Sequence, residues 1–326
     1  MALTRRSFMT TAAAAATAAV ARPAIAQGAQ KIVIGFVPGN SIYWDIDVAI
    51  EKGFFREAGF EPETSVVQSS PHSIQQAIIG SYQIAVGQPE TFVAAVEKGG
   101  TVLGAMAAPM NRADWALNAL PDIKSIADLK GKVIGVSAVR NGEVWLTTQL
   151  LEKAGLKKGD YDYKVVGVSP QKVAALKSGS IAATILFQPS AELAIKEGFP
   201  ALARYGALRA HPPILYVVNK EWAAKDGSGK RAAQAIRKAH DWLWNPANKA
   251  EALAILMKVT KRGKDIVEKV YAEYFVDLKI YSRTGEIELA GLNTALKDMA
   301  ADGLINSPAP PATKYVLDRS LGGMWS

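Results

Sequence analysis

Four X-Pro pairs, Ser70-Pro71, Gln88-Pro89, Ser169-Pro170 and Gln188-Pro189, stand where a β-branched run gives way to an apolar period of helical spacing. Proline is tolerated at the first helical position because its missing N–H has no intrahelical partner, and a Ser before it can accept from a free N–H further in. Each pair therefore marks a helix start, and Asn141-Gly142 marks another. Free N–H groups and the positive dipole end at such starts favour an anion. The chemistry expected is non-covalent capture of a small solute by hydroxyls, amides and aromatic rings gathered at these turns. In the first half the candidates are Asn40, Ser41, Tyr43, Trp44, Ser69, Ser70, His72, Gln88 and Glu90. In the second they are Ser137, Arg140, Asn141, Ser169, Phe187 and Gln188, with Arg140 placed to give an anion a bidentate contact. Several have a plainer reading: Trp44 and Phe187 as core anchors, Glu90 as a cap in a first helical turn, and His72 as a surface group. His211, before two prolines, reads as structural, and His240 as surface or core.

Other chemistries are excluded or disfavoured. The chain has no cysteine, which removes disulfides, thiolate metal sites, a cysteine nucleophile and a lipidated cysteine. No Gly-x-Ser-x-Gly elbow or Gly-x-x-x-x-Gly-Lys loop is present, and no His/Asp/Glu set has metal-ligand spacing. Neither metal nor cofactor is expected. Lys and Arg alternate with acids instead of forming a basic stripe, which argues against a nucleic-acid partner.

The elements that must position these residues repeat. Sliding the chain along itself by 99 to 101 residues aligns KIVIGFV (31–37) with KVIGV (132–136) and IEKG (50–53) with LEKAG (151–155). It also aligns VVQSSP (66–71) with VVGVSP (165–170), Gly80-Ser81 with Gly179-Ser180, and the two Gln-Pro pairs. Strands alternating with helices predict two α/β lobes, each a mostly parallel sheet flanked by helices, with ligand at the carboxyl ends of the strands, in the cleft between the lobes. Lobe 1 is expected over residues 27–110 and 217–326, and lobe 2 over 111–216. The crossovers would lie near 111–121 and 209–216, the second containing a return strand. The remaining tail reads as helices that pack on lobe 1.

Three stretches, AIEKGFFREAGF (49–60), QAIIGSYQIA (76–85) and DLKGKVIGV (128–136), resemble in order and spacing the family of periplasmic solute-binding proteins for nitrate, aliphatic sulfonates, taurine and thiamine pyrimidine precursors. The resemblance implies the type II periplasmic-binding-protein fold, a monomer, and the permease of an ABC importer in the inner membrane as partner. The helix starts and Arg140 favour a sulfonate, carboxylate or nitrate-like solute; a pyrimidine- or flavin-like ring, or an enzyme on the same fold, is the alternative. The family often places Asp two residues after the helix-ending glycine, where this chain has Tyr82 and Ile181.

The first 26 residues resemble a twin-arginine export signal, with Arg5-Arg6 before an Ala/Thr run that ends in Ala24-Ile25-Ala26. With Arg5, Arg6 and Arg22 removed, the formal charge of +8 falls to about +5. Intact-mass analysis of the periplasmic protein is expected to give a chain that starts at Gln27. A full-length chain held in the cytoplasm would remove both the localisation and the importer partner.

Overall fold

The computed structural model describes residues 29–67 and 69–326, so the expected signal lies outside the described residues. Among these, ten strands appear in chain order: β1 (Gln30–Phe36), β2 (Phe60–Val66), β3 (Ile84–Gly87), β4 (Leu103–Ala107), β5 (Ala116–Ala119), β6 (Val133–Val136), β7 (Asp162–Val165), β8 (Ala183–Leu186), β9 (Ala201–Arg204) and β10 (Leu215–Asn219). They form two sheets of the same plan, β2-β1-β3-β10-β4 and β7-β6-β8-β5-β9, which is the two-lobed type II periplasmic-binding-protein fold. Parallel pairing joins β1 to β2 and β3, and β6 to β7 and β8, through the repeated strand-helix units.

As expected, each sheet is mostly parallel, with four of its five strands running the same way; one reversed strand in each makes both sheets mixed. β10 runs antiparallel to β3 and β4, and β5 antiparallel to β8 and β9. A parallel neighbour needs a crossover that returns to the starting end of the same sheet. A strand arriving from the other lobe makes no such return and enters from the opposite end. The outward crossover is thus more than a link, because β5 lies inside residues 111–121. The return strand is inserted between β3 and β4, with Leu215, Tyr216, Val217 and Val218 all buried.

The helix starts fall at the X-Pro pairs. Ser69 caps the helix Ser70–Ile78 by accepting from the His72 N–H, Pro89 begins Pro89–Glu97, and Pro170 lies in the first turn of Ser169–Lys177. The helix Ser190–Lys196 follows Pro189, and Asn141 caps Gly142–Lys153 by accepting from the Val144 N–H. The capping box at Ser125 and Asp128 forms, but on a single 3₁₀ turn, Ile126–Leu129. Gly80 and Gly179, equivalent in the repeat, end their helices at φ of 78° and 70°, which a side chain would strain.

The positions where the family often carries Asp acquire a packing role. The Tyr82 ring covers Gly35 of β1 so closely that a Cβ on Gly35 would lie 2.3 Å from it, and the Tyr82 hydroxyl meets Ser65 at 2.8 Å. Ile181 covers Gly135 of β6 in the same way, at 2.6 Å.

Two large apolar clusters form, one around each sheet. The tail packs on the first: Leu317 N–H donates to Ala105 of β4, and the helices Ser228–Leu243, Lys249–Thr260 and Leu289–Ala301 bury their apolar faces there. His240 is a core residue. Its Nε2 lies 3.0 Å from buried Asp45, whose other oxygen accepts from the Tyr216 and Tyr281 hydroxyls at 2.6 and 3.1 Å. His211 is buried beside Trp115 and Trp145, against Gly142, where a Cβ would lie 2.3 Å from its Nε2.

Gly35→Ala is expected to cost about 1–3 kcal/mol through overpacking against Tyr82. In a double-mutant cycle read by urea unfolding, Tyr82→Ala should recover at least about 1 kcal/mol of that cost. Strict additivity would mean that the two do not press on each other.

Candidate functional site

A cavity of about 770 Å³ lies between the two sheets at the carboxyl ends of their parallel strands. The first lobe supplies the loop after β1 (Val37, Pro38, Gly39, Asn40), the turn at Ser69-Ser70 and the end of β3 at Gly87-Gln88. The second supplies Ser137 after β6, Ser169-Pro170 after β7, and Phe187, Gln188 and Ser190 after β8. Much of the wall is apolar, including Ile42, Val67, Val86, Val168 and Ile214.

Of the sequence candidates, Asn40, Tyr43, Ser69, Ser70, Gln88, Ser137, Ser169, Phe187 and Gln188 border this cavity. Hydrogen bonds within the wall fix several of them. Asn40 Oδ1 accepts from the Ile42 N–H at 3.1 Å, Ser70 Oγ from the Gln88 N–H at 3.0 Å, and Tyr43 packs edge-on against Phe36.

The other six do not border it. Ser41 is buried, with its hydroxyl 2.9 Å from that of Tyr274. Trp44 is wholly buried against Tyr271, Tyr274 and Phe275, so a distant part of the tail takes up the ring that the sequence offers to a ligand. His72 and Arg140 are exposed, away from the cavity lining. Asn141 is spent on its cap and on Ser137 Oγ, to which it donates at 2.9 Å. Glu90 lies in the first turn of its helix and reaches across the cleft, where one oxygen accepts from the Gly142 N–H at 3.1 Å.

Sequence reasoning missed the charged wall. Lys172 and Glu143 form an ion pair of 2.8 Å whose two side chains are wholly buried at the base of the cavity. Lys172 also donates to the Ile185 carbonyl at 3.0 Å, while Glu143 accepts from the Ser137 N–H and hydroxyl. Nothing in a Glu and a Lys 29 residues apart signals a pair, although both sit in first turns already recognised as helix starts. Val259, Thr260 and Arg262 reach the wall from the helical tail, outside the repeat.

Below Gln188 a polar network ties the lobes together. Its amide donates to Glu273 at 2.6 Å, its N–H to Asp114 at 3.3 Å, and Tyr274 donates to Asp114 at 2.6 Å. Arg204 pairs with Glu273 at 2.6 Å and with Glu192. Burial pushes the carboxyls up, Asp114 to about 6 and Glu273 to about 7. It also raises Glu90 to about 7, against the Gly142 N–H and with help from the Glu143 charge. Burial, followed by the Arg209 charge, lowers His211 to about 3, so its ring is neutral.

The sequence profile of the family described as NMT1/THI5 like matches residues 43–250, well over half of the chain. The chain belongs to the NMT1/THI5-like family. A Brucella abortus protein described only as a binding protein is 26% identical over 291 residues, covering 85% of this chain and 88% of its own. The periplasmic nitrate-binding protein of Synechocystis superposes with a TM-score of 0.76 at 15% identity, over 90% of this chain and 87% of that one. The alkanesulfonate-binding protein of Xanthomonas axonopodis, bound to MOPS, gives 0.70 at 15%, over 87% and 97%. A cysteine-to-serine mutant of the desulfurization enzyme DSZB, solved with biphenyl-2-sulfinic acid, gives 0.64 at 14%, over 90% and 98%, so the fold also carries catalysis. Among the described residues of this NMT1/THI5-like chain no helix is long and apolar enough to cross a membrane, and no group of three or more His, Asp or Glu is placed to hold a metal.

The raised Glu90 makes a pH-dependent contribution. Its buried acid form favours the fold below about pH 4.5, and that contribution is lost as pH rises through about 7. Glu90→Gln keeps an acceptor for Gly142 and removes the titration. In urea melts its stability relative to the wild type should therefore grow between pH 4.5 and 7, by at most about 1.4 kcal/mol per pH unit. A margin that stays constant across this window would show that Glu90 keeps an ordinary carboxyl.

Proposed function

We propose that this chain is the solute-binding component of an ABC-type importer and captures a small organic anion in the cleft between its lobes. The observation that carries the reading is the cavity of about 770 Å³ walled from both sheets, a size suited to a small organic molecule. An inorganic anion of four atoms would leave most of it empty. The starts of the helices Ser70–Ile78, Pro89–Glu97 and Ser169–Lys177 border it, and their free N–H groups and dipoles favour negative charge. The apolar wall and the Tyr43 and Phe187 rings fit the body of such a solute. The NMT1/THI5-like assignment and the likeness to nitrate- and alkanesulfonate-binding proteins support the class. Binding is preferred to catalysis because the chain has no cysteine nucleophile and no recognised catalytic motif.

In this reading residues 27–110 and 217–326 are lobe 1 and residues 111–216 are lobe 2. The crossovers near 111–121 and 209–216 let the lobes close on the solute as rigid bodies. The protein works as a periplasmic monomer, released from its signal after Ala26, and delivers the solute to an inner-membrane permease.

Solute released by denaturing protein from its native host, and identified by mass spectrometry, names the ligand. In a thermal-shift screen, an acid at about 100 times its dissociation constant should stabilise the fold by about 2.7 kcal/mol and raise the melting temperature by several degrees. Shifts with neutral pyrimidine- or flavin-like rings and none with sulfonates or carboxylates would replace the anion by a heteroaromatic.

A further inference from the structure

We infer that Arg262 sets the charge that the cavity accepts, a deepening that rests on the organic-anion reading above. Among the described residues, three charged ones border the cavity: Glu143, Lys172 and Arg262. The first two are 2.8 Å apart and wholly buried, so at any distance larger than the pair their fields largely cancel. The charge that remains is the guanidinium of Arg262.

Its setting keeps it available. Arg262 lies on the short connection between the helices Lys249–Thr260 and Lys264–Tyr271, where Lys261 turns the chain at φ 55°. The preceding residues lie close to the loop after β1 of the same lobe: a Cβ on Gly39 would lie 3.4 Å from the Val259 carbonyl. Arg262 is exposed, and no ion pair or side-chain hydrogen bond holds it among the described residues. The residues outside them, 1–28 and Gln68, include no carboxyl side chain. Of the other cations nearby, Lys196 pairs with Asp265 at 2.7 Å and Lys264 with Glu268 at 3.5 Å, and exposed Lys261 does not border the cavity. Arg140 is exposed and does not border the cavity. A solute that lays its apolar body against Tyr43, Ile214 and Phe187 can thus turn its acid end toward Arg262 at the mouth, where the planar guanidinium offers a carboxylate or sulfonate two parallel hydrogen bonds. Because this charge faces water, its pull is screened by salt.

The test uses calorimetric titration with a set of acids (1-butanesulfonate, 1-octanesulfonate, 4-toluenesulfonate and benzoate) and with octanamide as a neutral probe. Wild type, Arg262→Gln, Arg262→Glu and, as control, Arg140→Gln are compared at low and high salt. All three substitutions are on exposed side chains, and unfolding curves confirm that each variant keeps the fold. For the acid that the wild type binds best, Arg262→Gln should weaken binding about tenfold and Arg262→Glu further, and most of the salt dependence should disappear. Octanamide affinity and the Arg140→Gln variant should be unchanged. Equal acid affinity in wild type and Arg262→Gln overturns the assignment of Arg262 and leaves the anion reading standing on the helix starts. A wild type that takes octanamide and no acid, or none of the probes, overturns the anion reading and this inference with it.

Discussion

Every wall of the cavity depends on the two strands that the chain lays down while passing between its lobes. β5 and β10 each lie second from one edge of a sheet to which the strand just before them in the chain does not belong, and their residues are almost wholly buried. Withdrawing either would open a core and leave two neighbouring strands with unpaired N–H and C=O groups, which is costly away from water. Each passage between the sheets is therefore confined at both ends by a sheet strand, β4 to β5 on the way out and β9 to β10 on the way back. That confinement sets the turns after β1, β2 and β3 opposite those after β6, β7 and β8.

Polar burial is concentrated where the lobes meet. Gln188 borders the cavity while its amide and N–H are held by Glu273 and Asp114, so the ligand wall and the interlobe network share a residue. The Glu143–Lys172 pair has a comparable place at the cavity base. A buried ion pair is weak evidence for stability, because desolvating both charges offsets most of their attraction. Its value here is geometric: it joins the start of Gly142–Lys153 to that of Ser169–Lys177 and to β8, and it leaves the base of the cavity electrically neutral. The same economy explains Glu90. Its carboxyl, expected as a ligand contact or a cap, satisfies a helix N–H of the opposite lobe.

The paired glycines show how one plan tolerates different residues. Gly35 and Gly135 each leave a hollow in a central strand, and the residue two positions after the helix-ending glycine fills it, a tyrosine in one lobe and an isoleucine in the other. Burial and shape suffice for this role, so the departures from the family's frequent Asp leave the fold intact. The tyrosine adds a hydroxyl contact to Ser65 across β2.

Nine of the fifteen sequence candidates border the cavity, and the sequence by itself determined the two-lobed α/β plan and the helix starts. Those are local properties: proline fixes φ and removes a donor, a Ser or Asn caps within three residues, and strand ends can be read from apolar period. It did not show that β5 and β10 run antiparallel, since direction depends on which lobe a strand arrives from. It left Trp44 open between ligand and core because an aromatic at a strand end looks alike whether it faces a cleft or the core, and only Tyr271, Tyr274 and Phe275, more than 200 residues later, decide that. It chose Arg140 for the anion because that arginine precedes a helix start, whereas the structure leaves it outside and brings Arg262 to the wall from the tail. Charge recognition depends on which groups are paired, and the pairing of Glu143 with Lys172 is decided by tertiary packing alone.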